Sequence, residues 1–181
     1  METYIAILRG INVSGQKMIK MDALRQLFED LKFKNIRSYI QSGNIIFESK
    51  VASPEILAKK IEKQVKTTFG FEVPVLVKDK KQLQQVLKSN PFVNKRSEDV
   101  KWLHVTFLSA SPEKTGMEKL MGLSYKPDEF ILSNDVVYLF CPNGYGNTKL
   151  NNNFFESKLK VTATTRNWNT VNELLRMAEI S

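Results

Sequence analysis

The order of predicted strands and helices repeats once along the chain, and this order limits the folds open to it. Each half of the 181 residues predicts strand–helix–strand–strand–helix–strand, followed by one further helix. The repeat lies in the order of the elements and not in residue identity. Because this is the order of the ferredoxin-like βαββαβ unit, we predict an α+β fold of two tandem ferredoxin-like lobes, each with an extra C-terminal helix.

Apolar spacing places the elements of the first half. Alternating runs indicate strands, whereas Leu24, Leu27, Phe28 and Leu31 recur at the spacing of one helix face. Ser42-Gly43-Asn44 is typical of a hairpin turn between two strands. The predicted strands are Tyr4–Leu8, Ile36–Gln41, Ile45–Glu48 and Val73–Lys78, and the predicted helices are Met21–Leu31, Pro54–Phe69 and Lys80–Ser89.

The second half gives the same order of elements. Thr170 and Glu173 have the spacing of a capping box at the start of the last helix. The segment Asn90–Val100, with a proline and a charged tail, is the predicted boundary, which gives lobes at 1–95 and 96–181. The predicted strands are Trp102–Leu108, Glu129–Leu132, Val136–Cys141 and Val161–Thr165, and the predicted helices are Pro112–Met121, Asn152–Leu159 and Val171–Ala178.

The net charge of +8 comes from the first half. Residues 1–98 carry 18 Lys and Arg against 10 Asp and Glu, whereas residues 99–181 carry 9 of each. A basic lobe attracts phosphates or nucleic acid, but lysines also commonly form the solvated faces of helices. Both interpretations remain open for Lys59, Lys60, Lys63, Lys66, Lys78, Lys80, Lys81 and Lys88.

Four polar segments carry groups suited to holding a ligand. They are Arg9-Gly10-Ile11-Asn12-Val13-Ser14-Gly15, Tyr39-Ile40-Gln41-Ser42-Gly43-Asn44, Gly144-Tyr145-Gly146-Asn147-Thr148-Lys149-Leu150 and Thr164-Thr165-Arg166-Asn167-Trp168-Asn169-Thr170. Together they resemble the signature stretches of a widespread bacterial domain family of unknown function, over nearly the whole chain. The resemblance implies two alpha–beta plait lobes and no established activity.

The predicted topology gathers these segments at two sheet edges. Strand one of a lobe ends at the edge where strands two and three turn, and strands three and four end at a common edge. We therefore predict two clusters and, if the lobes face each other there, one cleft for a ligand. The first-lobe rim consists of Arg9, Gly10, Asn12, Gln41, Ser42 and Asn44, and the second-lobe rim consists of Tyr145, Asn147, Lys149, Arg166, Asn167 and Trp168.

The chemistry of both rims favours recognition of an anion. Arg9 and Arg166 are two of six arginines, and a guanidinium binds carboxylate or phosphate with two hydrogen bonds. Asparagine amides both donate and accept hydrogen bonds, and Tyr145 or Trp168 offers a ring for stacking.

Each candidate also has a structural interpretation. The arginines would bond carbonyl groups between the lobes, and Trp168 would fill a core. Asn169 and Thr170 would cap a helix. Turns would account for Gly43, Asn44, Gly144 and Gly146.

Catalytic signals are weak in this sequence. The single histidine, His104, alternates with apolar neighbours and is predicted to be a half-buried strand residue. Cys141 ends an apolar strand and is predicted to be a small buried hydrophobe. The segment from Gly10 to Gly15 lacks the lysine of a phosphate-binding P-loop, and no Cys/His spacing indicates a metal site. We therefore expect no cofactor and no metal, and an enzyme is the less favoured class.

Three classes of function remain open. The favoured one is a non-enzymatic module that binds a small anionic or nucleotide-like ligand. The alternatives are single-stranded nucleic-acid binding through the basic first lobe and a protein-interaction or structural role. The first residues predict a strand and not a signal peptide, and no apolar run reaches the roughly 20 residues of a membrane span. We thus expect a cytoplasmic protein without a membrane partner.

Overall fold

Two four-stranded antiparallel sheets, one in each half of the chain, organise the fold. The computed structural model describes residues 1–50 and 52–180. The chain groups into one unit of Met1–Gln84 with Glu173–Ser181 and a second unit of Gln85–Asn172. This grouping assigns residues 85–95 to the second unit, and the division of the folding domains near residue 95 stays a prediction.

The sheet of the first lobe has the strand order β2-β3-β1-β4. Strands β3 and β4 both pair antiparallel with the central β1, and β2 pairs antiparallel with β3. Strands β1 and β2 are therefore parallel, as the βαββαβ order requires. The elements are β1 Glu2–Leu8, α1 Met21–Asp30, β2 Lys34–Tyr39, β3 Asn44–Ser49, α2 Pro54–Phe69, β4 Val75–Asp79 and α3 Lys80–Lys88.

The second helix of this lobe shows how local sequence sets its limits. The Ser53 side chain accepts a hydrogen bond from the N–H of Ile56 (3.3 Å), and Pro54 occupies the first helical turn. Gly70 ends the helix in the left-handed conformation, with φ of 83°. Leu57, Ile61 and Val65 are buried in the core of the lobe, so one face holds α2 on the sheet.

The second lobe repeats the architecture with the order β6-β7-β5-β8. Strand β7 and strand β8 each pair antiparallel with β5, and therefore end at the same edge of the sheet. The core contains Leu108, Val137, Leu139, Phe155 and Leu159. The elements are α4 Pro91–Asn94, β5 Leu103–Leu108, α5 Lys114–Met121, β6 Glu129–Ser133, β7 Val136–Phe140, α6 Asn152–Leu159, β8 Ala163–Asn167 and α7 Trp168–Glu179.

The fold class is confirmed, whereas several element limits were wrong. The hairpin turn spans residues 40–43, because Tyr39 pairs with Asn44 and Asn44 already belongs to β3. The last helix begins at Trp168 rather than Val171, so that the predicted caps Asn169 and Thr170 lie inside it. Asn167 caps the helix instead, since its Oδ1 accepts the N–H of Thr170 (2.7 Å). The predicted capping box was therefore wrong. The sequence prediction also missed α4 and a 3-10 turn at Val100–Trp102.

The lysines of the first half differ in exposure. Lys59, Lys60, Lys63 and Lys66 are exposed on α2, which agrees with a solvated helix face. Lys78 differs, because it lies on β4 and only 6% of it is exposed. None of the described helices has both the length and the apolar character needed to cross a bilayer.

Candidate functional site

The first-lobe rim is built around the end of β1. The N–H of Leu8 donates to the Gly43 carbonyl (2.8 Å), and the N–H of Arg9 donates to the Pro74 carbonyl (2.9 Å). Arg9 therefore leaves the sheet between the 40–43 turn and the segment that leads into β4. The half-buried Arg9 thus lies at the edge that the topology predicts.

Asn12 ties the long loop after β1 to the neighbouring turn. Its Nδ2 donates to the carbonyl of Gln41 (2.8 Å) and to the carbonyl of Ile19 (2.9 Å), while its Oδ1 accepts the N–H of Ile19 (2.8 Å). The predicted proximity of Arg9 and Asn12 to the 40–44 segment is therefore confirmed. These bonds give the Asn12 side chain a structural task, namely holding the loop in place.

The 40–43 turn brings two backbones close together. Gly43 is buried with φ of 81°, and a Cβ at this position would lie 2.8 Å from the Leu8 Cβ and from the Ile11 Cδ1. Ile40 adopts φ of 49°, a left-handed conformation that a β-branched residue rarely takes. Asn44 is fully buried, and its Nδ2 donates to the Tyr39 carbonyl (3.1 Å) and to Ser42 Oγ (2.8 Å). Gly43 therefore belongs to the turn, as its structural interpretation predicts, whereas Asn44 stabilises the turn from the first position of β3.

The backbone segments that form this rim are rich in positive charge, and the nearby Glu72 carboxylate interacts electrostatically with Lys17. Residues 9–21 include Arg9, Lys17 and Lys20 but no Asp or Glu, and residues 36–47 include Arg37 but no Asp or Glu. Gln41, Lys17 and Lys20 are exposed, while Lys17 Nζ donates to the carbonyl of Glu72 (2.6 Å). These two segments therefore carry a net positive charge.

An aromatic pair forms the centre of the second-lobe rim. The ring of Tyr145 stacks on the ring of His104, with 4.7 Å between centroids and 22° between planes. His104 pairs with Asn167 across β5 and β8, which places this pair at the common end of β7 and β8. The half-buried Tyr145 thus lies at the predicted edge, where it also packs against the core of the lobe.

Arg166 lies on β8, one residue before the end of the strand. Its Nη1 donates to the carbonyl of Thr165 (3.0 Å). Burial lowers the pKa of Arg166 to about 10, and the Tyr145 hydroxyl opposes this change electrostatically. The guanidinium remains protonated at neutral pH, and its charge is poorly hydrated. An anion placed beside it would stabilise the charged form.

The other members of the second-lobe rim occupy different environments. Asn147 is exposed, and its Nδ2 donates to the carbonyl of Asn143 (2.8 Å) within the same loop. Trp168 is only 7% exposed, which agrees with a core role rather than an accessible stacking surface. Lys149 is exposed, and its proximity to Trp168 stays a prediction. Asn167 is exposed, and its Oδ1 caps α7.

The prediction that His104 is a half-buried strand residue is confirmed. The sequence analysis did not predict that His104 lies in the second-lobe rim. The predicted topology could have placed His104 in this rim, because β5 begins at the edge where β7 and β8 end. Nδ1 of His104 is buried and has no hydrogen-bond partner within the described residues. Burial lowers the pKa of His104, although a backbone hydrogen bond at Trp102 opposes the change.

The lowered pKa of His104 predicts a pH dependence of stability. In the unfolded state the His104 imidazole is protonated near pH 6.5, its ordinary pKa. In the folded state the imidazole is still neutral at that pH. Stability should therefore decrease as the pH falls below about 6.5. We expect urea unfolding of the wild-type protein to show this loss relative to His104→Gln. The single imidazole should titrate below the ordinary value by NMR, and an unshifted titration would contradict the burial argument.

Acidic and sulfur side chains form no further centre in the described parts of the chain. Cys141 is buried as predicted, and burial raises the pKa of its thiol to about 11. Within residues 1–50 and 52–180, no three His, Cys, Asp or Glu side chains are grouped so as to hold a metal ion.

Comparison with known proteins agrees with this fold. The chain is similar over 98% of its length to the conserved bacterial protein SP0830 from Streptococcus pneumoniae, with 22% identity, 98% coverage of that chain and a TM-score of 0.73. At this identity the similarity shows the fold alone. Comparison with curated proteins finds no significant match.

A family model matches most of the chain. Residues 1–138 match the model of a protein family of unknown function, DUF1697. The matched part contains the whole first-lobe rim and His104, and it ends within β7, before the other residues of the second-lobe rim. The chain therefore belongs to the DUF1697 family of proteins of unknown function.

Proposed function

We propose that this protein is a cytoplasmic, non-enzymatic module that binds a small anionic or nucleotide-like ligand. The observation that carries the proposal is that Arg166 shares a sheet edge with the stacked rings of Tyr145 and His104. A planar ring can stack on an aromatic side chain, and a guanidinium binds phosphate or carboxylate. The two features together suit a ligand that has both a planar ring and an anionic group.

The first-lobe rim supports the same class of ligand. Arg9 emerges between two backbone segments that are fixed by hydrogen bonds, and Asn12 holds the adjoining loop. Binding costs less entropy when the surrounding backbone is already ordered. Asn12 and Asn44 act in this proposal by positioning the rim, whereas Arg9, Gln41 and the lysines of the loop contact the ligand. The shared cleft expected from the sequence stays a prediction.

Nucleic-acid binding through the first-lobe sheet has less support. Tyr4 and Phe47 belong to the buried core of the lobe, so they present no ring to an unstacked base. The other face of this sheet carries Ile5, Ile7 and Ile46, which are fully buried aliphatic residues. Sheets that bind single-stranded RNA stack bases on exposed aromatic side chains. A small ligand is therefore the favoured proposal.

A thermal-shift comparison of charged and neutral probes tests the proposal. We expect AMP or ribose 5-phosphate to raise the melting temperature, whereas adenosine and ribose leave it unchanged. Saturation at about 100 times Kd adds about 2.7 kcal/mol, which corresponds to roughly 5–10 °C for a protein of this size. Equal shifts with the neutral analogues would contradict anion recognition. Tight binding of single-stranded RNA that weakens steeply with salt would favour the alternative.

A further inference from the structure

Strand β6 is an edge strand of the second-lobe sheet. Within the described residues it hydrogen-bonds to β7 on one side and ends the sheet on the other. Its five pairs with β7 run in one unbroken register from Glu129 to Ser133. Every second N–H and C=O of such a strand faces away from the sheet, and these groups are a template for another strand.

The other sheet edges are better protected than β6. Strand β2 has Lys34 and Arg37 and a register irregularity between them, and both charge and bulges discourage strand addition. Strand β4 is mostly buried, and β8 carries the charged Arg166. Strand β6 has neither Lys, Arg nor Pro, and its Ile131 is 38% exposed. Its charged residue, Glu129, lies at the first position of the strand and is paired with Arg96 (2.7 Å). Among the described strands, β6 is thus the edge best suited to pair with a further strand.

A groove of mixed polarity runs beside this edge, and Lys126, Asp128 and Glu129 are among its lining residues. It has a volume of about 390 Å³, and its wall includes Met121, which is 76% exposed at the end of α5. Phe130 and Leu132 line the groove and also pack on the core of the lobe. The core-facing side chains of an added strand would lie beside this groove.

The order of polar and apolar residues along β6 is symmetric about Ile131. Read in either direction, Glu129 to Ser133 is polar, apolar, apolar, apolar, polar. Antiparallel pairing of two copies about Ile131 sets Phe130 opposite Leu132 of the second copy and Glu129 opposite Ser133 of the second copy. No like charges meet directly, and the two grooves adjoin. A twofold axis requires such self-complementarity.

We propose that two copies of this chain associate through antiparallel pairing of their β6 strands, which joins two four-stranded sheets into one. A five-residue edge buries a small area, so the dimer is weak and concentration-dependent. This association does not depend on the ligand proposed above.

Sedimentation velocity from micromolar to near-millimolar protein tests the association. We expect reversible dimers of the wild type and at least an about tenfold increase of the dimer Kd for Ile131→Lys, since a lysine on an edge strand opposes pairing. The matched control is Ile56→Lys, which changes an exposed isoleucine on α2 (63% exposed) and should leave the dimer unchanged. A monomeric wild type, or equal Kd values for both variants, would overturn the proposal.

Cysteine cross-linking tests the register and does not rely on the lysine variant folding. Ile131→Cys should form a disulfide-linked dimer on mild oxidation, because residues opposite each other lie about 4.5–5.5 Å apart at Cα, within disulfide range. Ser133→Cys is the control, since its two copies would be more than about 10 Å apart in this register. The native Cys141 is buried. Equally fast cross-linking of both variants would overturn the register.

Discussion

Gly43→Ala is expected to lower the free energy of unfolding by about 3 kcal/mol. Two costs add here: a left-handed conformation costs an L-residue roughly 1–2 kcal/mol, and overpacking costs roughly 1–3 kcal/mol. The new Cβ would meet Leu8 Cβ and Ile11 Cδ1 at 2.8 Å. Neither neighbour has room to move, because both are buried in the core of the first lobe.

Gly15→Ala separates the two costs. Gly15 has φ of 72°, similar to that of Gly43, but no atom lies within 4 Å of the point that an alanine Cβ would occupy there. Its substitution should therefore cost only the conformational part, about 1 kcal/mol. Urea unfolding of both variants measures the difference. Equal losses would show that the close approach of the turn to β1 is not a packing constraint.

Asn12→Ala is expected to lower the free energy of unfolding by about 2–3 kcal/mol. The substitution removes three hydrogen bonds to the backbone of Ile19 and Gln41, each worth about 1 kcal/mol. Asn12 also has φ of 55°, which asparagine tolerates better than alanine. Amide hydrogen exchange should be faster throughout the loop between Gly10 and Lys20, since that loop loses its attachment to the turn.

Two variants serve as controls for Asn12. Asn12→Gly accepts the left-handed backbone and isolates the loss of the hydrogen bonds. Asn147→Ala removes an exposed hydrogen bond to the Asn143 carbonyl and should cost about 0.5–1 kcal/mol. If Asn12→Ala were no more destabilising than Asn147→Ala, the loop would not be held by the Asn12 amide.

Periodicity predicted the elements well where local signals and packing agree. Helix α6, Asn152–Leu159, has its predicted limits, and Pro54 and Gly70 delimit α2 because they act locally at helix ends. The start of α7 was misplaced because several residues nearby can cap a helix, and only the register of β8 selects Asn167. The left-handed Ile40 has no local signal, since tertiary packing imposes it against the preference of the residue.

Topology predicted which segments meet, but not what each side chain does there. The edge shared by Arg9 and the 40–44 segment follows from strand order alone. The roles of Asn12 and Asn44 depend on hydrogen bonds to carbonyls that are remote in sequence or set by the turn. The stacking of Tyr145 on His104 likewise depends on how a loop folds over the start of β5.

Phosphate-dependent stabilisation of three arginine variants tests anion binding at the two rims most directly. Arg9→Ala and Arg166→Ala should lose the rise in melting temperature that AMP or ribose 5-phosphate gives the wild type. Arg176→Ala, which breaks only a surface ion pair with Glu173 (2.5 Å), should keep it. All three should melt cooperatively without a probe. An undiminished rise in both rim variants would contradict the proposal that these arginines hold an anion.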